Sequence, residues 1–120
     1  MDRKERIRQY KETPRPMGVY RVRNTMNGRS LIGSSINLPA ILNRQRFQLE
    51  SGLHPNRALQ QDWNKLGPAA FVFETVDTLK PSDQPDYDPS EDLRVLTAIW
   101  LERLSLSIED LYNDKSGQGT

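Results

Sequence analysis

The side chains in this chain that could do chemistry are few, and their absences narrow the choices first. There is no cysteine, which excludes thiolate nucleophiles, thiolate metal sites and any disulfide, including one to a partner. The single histidine, His54, precedes Pro55 in a stretch that reads as a helix start, where a lone imidazole more often caps or faces solvent than binds metal. Glu74 stands between Val72 and Val76 in FVFETV. A carboxylate there either faces solvent or needs a partner, because burying an unpaired charge is expensive. Tyr20 lies in GVYRVRNTMNGRSLIG. An ordinary phenol titrates near about 10, so it would take up a proton at neutral pH only with a depressed pKa or a cation beside it. Arg21, Arg23 and Arg29 around that hairpin, with Arg44 and Arg46 further on, can contact phosphates; such contacts position a nucleic acid without reading its sequence.

Charge is divided along the chain. Residues 1–66 hold 13 Lys/Arg against 5 Asp/Glu and residues 67–120 hold 4 against 11, so the net +1 conceals two opposed halves. One face could draw in a polyanion while another stays solvated, which makes nucleic acid a candidate partner; the plainer alternative is an uneven surface without one. A length of 120 residues suits one domain with one core. No apolar run reaches the roughly 20 residues that cross a bilayer, and the start MDRKERIRQYKE lacks the apolar middle of a signal peptide. A soluble, cytoplasmic protein without membrane attachment is expected.

These residues need elements to hold them. Residues 2–12 read as a short charged helix in an N-terminal extension, 1–16, stopped by Thr13-Pro14-Arg15-Pro16. Residues 17–23 alternate as a strand, Asn27-Gly28 supplies the positive backbone angles of a tight hairpin, and 29–34 return as a second strand. Asn37 reads as an N-cap with Pro39 in the first turn, and Leu38, Ile41, Leu42 and Leu49 recur at helical spacing as far as Ser51-Gly52. A second helix is expected from His54-Pro55, burying Leu59, Trp63 and Leu66 before Gly67-Pro68 ends it. FVFETV is a third strand, with Phe71 and Phe73 on one face and Val72, Glu74 and Val76 on the other. KPSDQPDYDPSED reads as an exposed loop. Asp88, Pro89 and Glu91 then open a last helix with a capping box and an apolar stripe of Leu93, Leu96, Trp100 and Leu104. Residues 109–120 read as a flexible tail, leaving 17–108 as the domain.

Gly18-Val19-Tyr20, Leu31-Ile32-Gly33, Ser34-Ser35 with Asn37-Leu38, LQQDWNKLG and FVFE, in that order and spacing, resemble the GIY-YIG endonuclease domain across roughly residues 17–104. The resemblance implies an α+β (broadly α/β) fold: a small three-stranded antiparallel sheet flanked by helices, in the order β-β-α-α-β-α. It also implies phosphodiester hydrolysis with one divalent ion, Mg2+ or Mn2+, held by Glu74 as a hard oxygen ligand. Tyr20 would then stand beside the attacking water.

Three positions depart from the family pattern. Leu31 replaces the tyrosine of the second motif, Ile41 stands at the arginine position, and Gln45 occupies a place often held by histidine or tyrosine. Arg44, one helical turn beyond Ile41, is the expected substitute for the arginine. The family's late asparagine has only Asn113 as a loose counterpart. The implied set is thus Tyr20, Arg44 and Glu74 for catalysis, with Glu74 on the metal and Arg21, Arg23, Arg29 and Arg46 on DNA phosphates. An altered endonuclease, a nucleic-acid-binding module that does not cut, and a protein-interaction domain remain as alternatives.

Overall fold

A computed structural model describes residues 15–80, 84 and 86–113; the expected helix over 2–12 and the expected tail beyond Asn113 lie outside the described residues. Strands β1 (Met17–Asn24) and β2 (Ser30–Ser35), helices α1 (Leu38–Glu50) and α2 (Arg57–Leu66), strand β3 (Phe71–Leu79) and helix α3 (Ser90–Arg103) follow in the expected order. The strands form one antiparallel sheet, β2-β1-β3, so β1 is central and β2 is an edge.

The hairpin forms, but across a loop of residues 25–28 and not a two-residue Asn27-Gly28 turn: of that pair only Gly28 takes a positive φ. Gly28 has φ +80°, Asn27 Oδ1 accepts from the Arg29 N–H, and the Asn24 N–H reaches the Arg29 carbonyl at 2.8 Å. This turn sets Tyr20 opposite Gly33, Arg21 opposite Ile32 and Val22 opposite Leu31. Against β3, Tyr20 pairs with Thr75, Arg21 with Glu74 and Val22 with Phe73, with a bulge at Val19/Tyr20. Successive strand residues point to opposite faces and cross-strand partners to the same face. Tyr20, Val22, Leu31, Gly33 and Phe73 therefore share one face, and Arg21, Ile32 and Glu74 the other. Beyond the bulge β3 continues to Leu79, past the run legible in the sequence, because its end still finds Met17 and Gly18 to pair with.

Helices α1 and α2 cover the Val22 face. Val22, Leu49, Leu59, Trp63, Ala70, Phe71 and Tyr112 form the main core, in which the Trp63 ring lies 5.4 Å from Phe71 and 6.1 Å from Phe73. Asn37 caps α1 by accepting from the Ala40 N–H at 3.1 Å. α2 starts later than expected: Asn56 is its cap, accepting from the Leu59 N–H at 3.0 Å, while Leu66 is left 37% exposed. α3 lies against β1 and β2 on the opposite face, where Val19, Ile32 and Leu93 are buried and Trp100 Nε1 donates to Asp77 Oδ2 at 2.8 Å. Asp88 takes the N–H and hydroxyl of Ser90 at the start of α3, whereas Glu91 pairs with Arg94 instead of closing a capping box.

The chain does not leave the domain at residue 108. Leu111 bridges Ser30 in parallel, the Tyr112 N–H bonds the Ser30 carbonyl at 2.7 Å, and the Asn113 side chain meets both the N–H and the carbonyl of Ile32, at 3.0 and 2.8 Å. Residues 111–113 thus belong to the fold, with Tyr112 only 3% exposed; the polar composition of 109–113 conceals one aromatic anchor and one amide matched to an open strand edge. No helix among the described residues is long and apolar enough to cross a membrane.

Candidate nucleic-acid interface

The Tyr20 phenol lies over the backbone of Gly33, so near that a Cβ at Gly33 would fall 2.5 Å from its hydroxyl. Burial pushes this phenol above its ordinary value. Proton abstraction at neutral pH needs the opposite shift, so the site as it stands favours a neutral, packed tyrosine.

Glu74 projects from the other face of the sheet, opposite Arg21. Its Oε2 is 3.8 Å from Arg23 Nε, with side chains 31% and 36% exposed respectively. Tyr20 and Glu74 are therefore separated by the sheet itself. Arg44 is exposed on α1, on the Tyr20 side of the sheet, so the structure does not bring Tyr20, Arg44 and Glu74 together. Mg2+ or Mn2+ typically keeps several waters and takes one or two carboxylates beside the substrate's phosphates. The one carboxylate assigned to it, Glu74, faces the Arg23 guanidinium instead, with Arg21 opposite it on the neighbouring strand. Among the described residues no three of His, Asp or Glu converge; Glu74 so paired does not fit such an ion.

The arginines differ in how far they are committed. Arg21 Nε donates to Ser30 Oγ at 2.8 Å, and Arg23 is held by Glu74. Arg29 is structural: its guanidinium lies 4.4 Å over the Tyr112 ring, Nη2 donates to the Leu111 carbonyl at 3.3 Å, Nη1 is 4.0 Å from Asp62, and Nε is buried without a partner. Tyr112 completes this cluster, donating its hydroxyl to Asp62 at 2.5 Å and accepting from Asn24 at 2.8 Å. Arg46 stacks 4.4 Å over Phe73, which keeps its donors on the α1 surface. Arg44, Arg57 and Lys65 are exposed on α1 and α2. Of the acids on those helices, Asp62 is already engaged, leaving Glu50. The exposed carboxylates Asp88, Glu91, Asp92 and Glu102 belong instead to α3 and the segment leading into it. With Arg94 and Arg103 also exposed on α3 and Arg21 and Arg23 on the same face of the sheet as Glu74, the charge division along the chain survives across the sheet as an excess of base on the α1/α2 side and a mixed surface on the other.

Between β2, α1 and the start of α2 lies a cleft of about 730 Å³, lined among others by Leu31, Gln45, His54, Asn56, Arg57 and Ala58. His54 is fixed on both sides. Its Nδ1 accepts from the Asn56 N–H at 3.0 Å, so the proton sits on Nε2 and is donated to Gln45 Oε1 at 2.5 Å. Burial lowers its pKa, offset in part by the Asn56 bond. With both ring nitrogens occupied, His54 is a neutral brace and offers no lone pair to a metal. Gln60 ties the same loop to the helices, accepting from the His54 N–H and donating to the Leu49 carbonyl. A smaller recess of about 410 Å³ between β2 and α3 is lined by Ser34, Ser90, Arg94 and Thr97 with no carboxylate.

Leu31, Gln45 and His54, scattered in the sequence, thus meet in one place. Asn56, Arg57 and Tyr112 join them without having been singled out. The spacing of Asn56 to Leu59 carried a cap signal that His54-Pro55 obscured, while nothing local marked Tyr112.

No protein-family model and no curated protein matches the chain by sequence. Similar solved structures include the catalytic domain of intron endonuclease I-TevI in a mutant form, with a TM-score of 0.64 at 23% identity over 82% of this chain and 92% of that one. Another is the catalytic domain of homing endonuclease I-TevI, with a TM-score of 0.63 at 23% identity over 80% and 95%. At this identity the likeness is one of fold.

Proposed function

We propose that this chain, a divergent domain of the GIY-YIG fold, binds nucleic acid on its α1/α2 side and does not cut it through Tyr20, Arg44 and Glu74. The observation that carries this is the separation of Tyr20 and Glu74 on opposite faces of the sheet. Hydrolysis would require a polarised water, a cation and charge compensation within one small volume. Binding asks less: uncommitted cations on one surface, which Arg44, Arg46, Arg57 and Lys65 supply. DNA is the partner that the endonuclease fold favours.

The test is a titration of labelled DNA at several salt concentrations, run beside a plasmid-nicking assay with Mg2+ and Mn2+. Affinity should fall steeply with salt, with a log–log slope of about −2 to −4 for a few neutralised phosphates, and no nicks should accumulate. Metal-dependent nicking that vanishes in Glu74→Ala would restore the catalytic alternative. A protein that binds no DNA even at low salt would leave only the interaction-domain alternative.

A further inference from the structure

The cleft of about 730 Å³ lies beside the basic surface of α1 and α2. We infer that it receives one unpaired nucleotide of a single strand, its base against Leu31 and Ala58 and its phosphate at Arg57; this rests on the nucleic-acid function proposed above. The volume lies in the range of about 300–1,000 Å³ typical of small-ligand sites. Leu31 and Ala58 give it an apolar wall, and both also pack on the main core, so that wall is rigid. Gln45 supplies the polar element. It is 8% exposed, and its Oε1 is held by His54 Nε2–H, so its amide N–H groups are the ones left over. Among the described residues they have no partner. The residue is buried but the amide nitrogen is not, since Arg29 Nε is the buried side-chain polar atom without a partner among the described residues. A donor held on a buried side chain and open to the cleft is placed for an acceptor, and the keto oxygens and ring nitrogens of base edges are acceptors of that kind.

A paired and stacked base cannot enter such a recess without being extruded, whereas a single strand presents its bases at no such cost. Arg57, exposed at the rim, is placed to meet the phosphate that follows the base into the mouth of the cleft.

The experiment compares anisotropy titrations of a fluorescein-labelled strand of about 12 nucleotides with the same strand in a duplex, at one salt concentration, for the wild type, Gln45→Glu and Ala58→Phe. Gln45→Glu retains an acceptor for His54 and replaces the free donor with a charged acceptor, the duplex titration of the same variant controlling for the added charge; Ala58→Phe fills the cleft. The wild type should hold the single strand about tenfold more tightly than the duplex, a difference of about 1.4 kcal/mol. Each variant should lose most of that preference while keeping its duplex affinity and its circular dichroism spectrum. Should Ala58→Phe not fold, Gln45→Glu decides alone. Equal wild-type affinity for strand and duplex, or an undiminished preference in folded Gln45→Glu, overturns the cleft assignment and leaves the basic surface standing. Loss of all binding in the wild type overturns both. A free nucleoside monophosphate that displaces the strand at micromolar concentration would instead mark the cleft as a mononucleotide site and overturn the single-strand assignment.

Discussion

A Cβ built on Gly33 would lie 2.5 Å from the Tyr20 hydroxyl, and one on Gly18 would lie 2.0 Å from the Asp77 carbonyl oxygen. The two glycines of the hairpin are thus required for different reasons. At Gly18 the obstacle is backbone of the neighbouring strand, which can yield only by breaking the pairing. At Gly33 it is a side chain. Overpacking of this kind costs about 1–3 kcal/mol, occasionally more. Gly18→Ala should fall at or beyond the upper end of that range and Gly33→Ala within it, measured by urea denaturation. Tyr20→Ala should relieve most of the Gly33→Ala penalty, so a double-mutant cycle on that pair should show coupling of more than about 0.5 kcal/mol; additive effects would mean the phenol is not seated as described. Gly18, Tyr20 and Gly33 were all legible as a motif. What they do here, packing a neutral phenol under a strand, was not.

His54 gives a pH dependence whose sign follows from its environment. Its folded-state pKa lies below the ordinary value of about 6.5 because it is buried. The unfolded chain therefore takes up a proton before the folded one does. The contribution of His54 to stability is fully present above about pH 6.5, declines as pH falls through 6.5, and levels off once pH passes below the folded-state value. Thermal melts of wild type and His54→Gln between pH 5 and 8 should differ in slope in that window, the variant being flatter; parallel curves would show that the imidazole is not held neutral.

Among the elements, caps and turns were the most legible because their signals are local. Asn37, Asn27-Gly28, Gly52 and Gly67 each act within a few residues of their own position, and each was marked by residue type. The β2 edge was not legible. Its closure depends on Asn113, 81 residues away from Ile32, where a side-chain amide supplies one donor and one acceptor in place of a neighbouring strand. Truncating it in Asn113→Ala leaves both backbone groups of Ile32 without that partner, which should cost about 1–3 kcal/mol. The same change should speed amide hydrogen exchange at Ile32 more than at Val19 in the centre of the sheet. An unchanged exchange rate at Ile32 would show that the C-terminal segment does not guard this edge. The longer β3 has a similar origin: its polar end is held by pairing to β1 across a bulge, and neither hydrophobicity nor alternation records that pairing.

At the scale of the whole molecule, the sheet converts a division along the chain into one across space. The α1/α2 side carries an excess of base, while the acidic residues of α3 and its approach share the other side with Arg21, Arg23, Arg94 and Arg103. A long-range field of that shape steers a polyanion toward one surface even though the molecule is nearly neutral. The same sheet separates Glu74 from Tyr20, so one architectural fact both supports binding and removes the geometry that cleavage through those residues would need. The likeness to an endonuclease catalytic domain is therefore one of fold.

By itself the sequence determined the element order, the presence of the hairpin, most of the helix ends and the uneven charge, because each depends on residues close together in the chain or on composition; the hairpin's register, set across a loop of residues 25–28, did not follow from Asn27-Gly28. Only the tertiary structure decided which face each strand residue occupies beyond the bulge, that Tyr20 is buried and Glu74 tied to arginine, that Arg29 serves Tyr112, and that Leu31, Gln45 and His54 line one cleft. Those outcomes depend on pairing between distant segments, and a one-residue change in strand alignment would reverse the face of every side chain that follows.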